Sequence, residues 1–80
     1  SLIIFKTKNE NEFNDLRDEV AGEIGKELFT KIYEIATDEP HSFLFIDFNK
    51  KSSHPSRYRK NLDTFLIAND DGTITERRYE

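Results

Sequence analysis

Lys50, Lys51, His54, Arg57, Tyr58, Arg59 and Lys60 fall within one run of eleven residues that contains no acid. An imidazole among guanidinium and ammonium groups is equipment for phosphate chemistry. The His takes or gives a proton, and the cations stabilise the phosphorane of RNA cleavage without a metal or a thiol. On that reading His54 is the acid or base, and Arg57, Arg59 or Lys60 are the stabilisers. Without catalysis the same residues suit nucleic-acid binding, since Lys and Arg neutralise phosphates and Tyr58 between two arginines offers a plane for an unpaired base. The bland alternative is a solvated loop whose charge balances acids elsewhere, its serines at most modification sites. The run carries five of the twelve basic residues of a chain with formal net charge -4, leaving about -9 for the rest. That acidic remainder repels a polyanion unless it lies on another face, so nucleic acid is the second-ranked partner.

A second constellation lies just upstream. Residues 42–48 read Ser-Phe-Leu-Phe-Ile-Asp-Phe. Side chains alternate across a strand, which puts Leu44, Ile46 and Phe48 on one face and Phe43, Phe45 and Asp47 on the other. If the first set packs on a helix, the second joins Phe65 or Leu66 of a neighbouring strand in an apolar patch. Such a patch is covered by the long basic loop, buried in a homodimer, offered to another protein or used to stack nucleic-acid bases. A buried Asp47 needs a donor, and an Arg or Lys of the basic run can supply one.

Other chemistries lack their residues. The chain has no cysteine, which removes disulfides, thiolate metal sites and cysteine nucleophiles and favours a reducing, cytoplasmic setting. No phosphate-cradling glycine loop, paired-histidine zinc helix or calcium loop occurs, and His41 and His54 stand at no ligand spacing from Asp47, Asp63, Asp70 or Asp71. No metal or cofactor is therefore expected. No apolar run approaches the roughly 20 residues that span a bilayer, so no membrane partner is expected either. The opening Leu2-Ile3-Ile4-Phe5 is too short for a signal peptide and lacks its basic flank.

These residues must be positioned by one small domain, residues 1–80, with seven Phe and three Tyr to fill its core. A chain of this size buries only about 60% of its unfolded surface, so packing must be efficient or a partner must help. Residues 2–7 form an apolar, β-branched run, the pattern of a strand with little solvent exposure. Asn9 with Glu12 three residues on reads as a capping box, starting a helix near Glu10. Phe13, Leu16, Val20, Ile24, Leu28 and Ile32 then form one stripe to about Thr37. The stripe drifts near Gly22 and Gly25, which predicts a kink or two abutting helices, with the glycines allowing close approach to the sheet. Residues 62–68 read as a third strand, and Asn69-Asp70-Asp71-Gly72 as a tight turn into an edge strand at residues 73–79.

The expected fold is two-layer α+β, β-α-β-β-β, with a four-stranded sheet, one long, kinked or split helix on one face, and a right-handed crossover between the first two strands. The leading functional expectation is a small, acidic, non-enzymatic interaction protein of the inhibitor, immunity or regulatory kind. It would bind another protein or its own copy through Phe43, Phe45, Asp47 and Phe65, the edge strand and the 50–60 loop.

Overall fold

A computed structural model of the chain describes residues 1–22 and 24–78. The element order is β1 (Leu2–Phe5), α1 (Glu10–Val20), α2 (Lys26–Ala36), β2 (Phe43–Ile46), β3 (Tyr58–Lys60), β4 (Thr64–Ala68) and β5 (Ile74–Arg78). The strands make one sheet in the order β1-β2-β3-β4-β5, with every neighbouring pair antiparallel. Ile4, Leu44, Ile46, Tyr58 and Leu66 point to the helical layer and close the core with Ala21, Phe29, Ile32 and Ala36. The two-layer α+β architecture is as expected, but its details differ.

The sheet has five strands, not four, because Tyr58–Lys60 pairs inside the expected basic loop. Tyr58 and Lys60 both point inward and are buried, which is the alternation a strand requires. The helical segment is two helices rather than one. Gly25 caps α2 at φ +88, in the left-handed region that glycine occupies without steric cost. A side chain at Gly22 or Gly25 would meet nothing within 4 Å, so close approach to the sheet is not what these glycines provide.

Two helices also explain why the expected crossover is absent. One helix would carry the chain to the far end of the sheet and make β2 parallel to β1. A pair brings it back to the end where β1 stopped, so Phe5 lies opposite Phe43 and the strands run antiparallel. Strand β1 is consequently an edge, and the expectation of little exposure fails there: Ile3 is 51% and Phe5 58% exposed. Phe48, expected to share the inner face with Leu44 and Ile46, falls beyond the end of β2 and is largely exposed. The edge strand expected at 73–79 is β5; Tyr79 lies outside the described residues.

Local signals hold the helices in place. The Glu12 N–H donates to Asn9 Oδ1 at 3.1 Å, and the Asn9 N–H donates to Thr7 Oγ1 at 3.1 Å, so Thr7 takes the place a capping-box glutamate would fill. Tyr33, buried on α2, accepts the Thr7 N–H at 2.8 Å and packs its ring 4.4 Å from that of Phe13. That one phenol ties the end of β1 to both helices. Tyr33→Phe keeps the ring and leaves the Thr7 N–H without its acceptor. The expected loss is about 1 kcal/mol with an unchanged denaturant slope, measured by urea unfolding. A loss below measurement would mean that water replaces the hydroxyl at no cost.

Candidate functional site

The register places the outward side chains. Ile3 lies opposite Phe45, Phe45 opposite Arg59, Arg59 opposite Phe65 and Phe65 opposite Arg77. Directly opposed residues share a face, so these five make one row across the sheet, on the side away from the helices. Phe5 and Phe43 form a second row at the β1 end, with ring centroids 5.5 Å apart. Phe43, Phe45 and Phe65 are each partly buried.

Arg59 stands in the middle of the row. Its guanidinium lies 5.3 Å from the centroid of Phe45 and 5.2 Å from that of Phe65. Its Nε donates to the Ser56 carbonyl at 3.0 Å, and one terminal nitrogen is 3.9 Å from an Asp47 carboxylate oxygen. The basic partner expected for Asp47 is therefore Arg59, at ion-pair distance, while the hydrogen bond to the carboxylate comes from the Asn49 N–H at 3.0 Å. A guanidinium held between two rings loses little freedom on further contact, and it presents a flat cationic centre within an aromatic surround.

The basic segment meets this face at Arg59, through the Ser56 carbonyl and the Asp47 carboxylate at its start. Consecutive turns close it on itself: the Lys50 N–H donates to the Asp47 carbonyl at 3.1 Å, His54 to Lys51 at 2.9 Å and Arg57 to His54 at 3.1 Å. Residues 52–54 stand instead beside Ile24, Leu28 and Leu66, lining a cleft of about 490 Å³ that reaches Asn69 and Asp70. Of the residues proposed for phosphate contact, several are committed within the fold. Tyr58 is buried, Lys60 reaches Asp38 and Glu39, and Arg57 donates to the Lys50 carbonyl at 2.7 Å with its guanidinium 5.1 Å from the Phe48 ring. Lys50, Lys51 and His54 are exposed.

His54 Nδ1 accepts the Ser56 N–H at 3.1 Å and lies 2.9 Å from Ser56 Oγ. That bond assigns its remaining proton to Nε2 when the ring is neutral, and the contacts are those of a residue ordering its own turn. Among the described residues no three His, Cys, Asp or Glu side chains come together to hold a metal ion, and no helix is long and apolar enough to cross a membrane.

The structure thus brings Phe43, Phe45, Asp47 and Phe65 to one face with Arg59, which the sequence had placed with the phosphate set. It adds Ile3, Phe5 and Arg77, which the sequence reading missed. The signal for Ile3 and Phe5 was present in the unbroken apolar run, whose odd-numbered side chains had to face somewhere. Comparison of the chain with protein-family models, curated proteins and solved structures finds no match in any of the three.

Proposed function

We propose that this protein is a small non-enzymatic interaction module that binds a protein partner through the outer face of its sheet. The reading rests on one observation: Phe43, Phe45 and Phe65 share the outer face with Arg59 and stay partly exposed there, and this surface continues into the exposed Ile3 and Phe5. Aromatic residues and arginine dominate the energetics of protein interfaces, and here an arginine is already fixed between two rings. The partner that fits presents an apolar centre to the phenylalanines and an acid to the exposed Arg77. An inhibitor or regulator needs no more chemistry than this.

Nucleic acid draws less support, because Tyr58, Lys60 and Arg57 are engaged inside the fold, which leaves the exposed Lys50 and Lys51 as the cations of that set without an ion pair among the described residues. Capture from lysate by the immobilised chain, set beside capture by a Phe45→Ser/Phe65→Ser variant, separates the two readings. A protein retained by the parent chain and weakened roughly 30-fold by the variant is the expected result, at the scale of hot-spot residues. Equal capture by both, or tight single-stranded RNA binding that falls steeply with salt, would reject the face as the protein-binding site.

A further inference from the structure

Strand β1 carries a second interaction surface that adjoins the outer face at Ile3 and Phe5: its open edge. The backbone of Phe43 faces β3, since its carbonyl accepts the Asn61 N–H at 2.8 Å, and so does that of Asp47, whose N–H donates to the Arg57 carbonyl at 2.8 Å. Backbone polar groups alternate sides along a strand, so Leu44 and Ile46 face β1 and pair with Ile4 and Leu2. Ile3 and Phe5 therefore point their N–H and C=O groups away from the sheet, and no group of the described residues meets them.

The two edges of the sheet are built differently. Strand β5 ends in Glu76, Arg77 and Arg78, the charges that keep an edge from pairing. Strand β1 is Leu-Ile-Ile-Phe, without a charge, a proline or a bulge. Beside it runs a groove of about 470 Å³ between the strand and α1, whose apolar lining includes Leu2, Ile4, Phe13 and Leu16. A strand seated there would need apolar side chains on both faces, one set for the groove and one for the exposed Ile3–Phe5 corner. The chain's own β1 has that composition.

We propose that β1 is a dimerisation strand. Two copies pair their β1 edges antiparallel, Ile3 against Phe5 of the second copy, about a two-fold axis at Ile4. This register joins the Ile3 and Phe5 backbone groups of both copies in reciprocal bonds and leaves none over. It also keeps both helical layers on one side of a continuous sheet, because opposed residues in an antiparallel pair share a face. The two grooves then meet across the axis, where the partly buried Leu2 of each copy gains cover from the other, and Ile3 and Phe5 of each cover the other's exposed corner.

Sedimentation at about 100 μM, above the Kd of most weak transient interfaces, reads the assembly. The parent chain is expected at twice its 9.4 kDa mass. Ile3→Pro removes an N–H that the monomer does not use and is expected to sediment at the single-chain mass and to melt cooperatively, at a temperature that does not rise with protein concentration as the parent's does. Phe45→Ser leaves the β1 backbone intact and is expected to remain dimeric, so failure here and failure of the face as a binding site are told apart.

The chain has no cysteine, so an oxidised crosslink reports only an introduced pair. Ile4→Cys sits at the axis, where non-hydrogen-bonded Cα atoms are about 4.5 Å apart, and is expected to form a covalent dimer; Ile3→Cys is not. These crosslinks decide the register even if Ile3→Pro fails to fold. A monomeric parent chain, a dimer that survives in folded Ile3→Pro, or crosslinking at Ile3 in place of Ile4 would each overturn the proposal.

Discussion

Truncating Phe29 to alanine is expected to lower the unfolding free energy by about 3–5 kcal/mol, the usual loss for a fully buried aromatic ring. Phe29 is 0% exposed on α2, with the Phe13 ring of α1 stacked at 6.3 Å and the inner face of the sheet below it. Helix α1 has no fully buried residue of its own and meets the core through Phe13, Leu16 and Val20, so a void at Phe29 also removes what α1 rests on. A domain of this size has about 5–15 kcal/mol of stability in total, and each kcal/mol is worth about 4–8 °C in melting temperature. The melting point should therefore fall by at least roughly 12 °C, read by calorimetry, with the urea slope preserved if unfolding stays two-state. A loss of less than about 1 kcal/mol would mean that the two helices close over the vacancy, contrary to the tight core described above.

Lys60 is the second large effect, and it combines packing with charge. The residue is 8% exposed on the helix-facing side of β3, yet its ammonium reaches the exposed Asp38 and Glu39 at 2.5 and 2.7 Å. The stem is buried and the head emerges beside two carboxylates at the end of α2. Lys60→Met keeps the stem and should cost about 1 kcal/mol, the scale of a partly screened ion pair. Lys60→Ala also empties the space of the stem and should cost about 2–3 kcal/mol.

The hydrogen bonds to Asp38 and then Glu39 raise the Lys60 pKa above its ordinary 10.5. Proton linkage then sets the sign: the native state holds this proton more tightly than the unfolded chain, so the stabilisation is complete below about 10.5 and fades as pH climbs through the raised native value. The stability gap between the parent chain and Lys60→Met, followed from neutral to alkaline pH, should close in that window. A gap that stayed constant would assign the whole effect to packing.

Short-range chemistry was readable in the sequence because its causes are local. Asn9 caps α1 as its position before Glu12 implied, and the turn at Asn69–Gly72 closes with the Asn69 N–H on the Thr73 carbonyl at 2.8 Å and Gly72 at φ +87. The break between the helices was marked by the drift of the apolar stripe. Strand β3 was hidden because its inward residue Lys60 carries a charge, and the acids that neutralise it lie over twenty residues earlier in the chain. The same disguise placed Arg59 among phosphate ligands, whereas its neighbours Phe45, Phe65 and Asp47 come from other segments. The apolar run of β1 misled in the opposite direction. Such a run states that both faces of a strand are greasy, and it is silent on whether the chain itself supplies the cover.

The strand order, in which every strand neighbours the one before it in the chain, also governs how the molecule assembles. Strands β2 to β5 form a meander whose pairings each close a short stretch of chain, so their entropic cost is small and their closure is fast. Only the β1–β2 pairing spans both helices. The kinetics of this domain are thus gated by a single long closure, and until it occurs an entirely apolar strand stands unpaired in water.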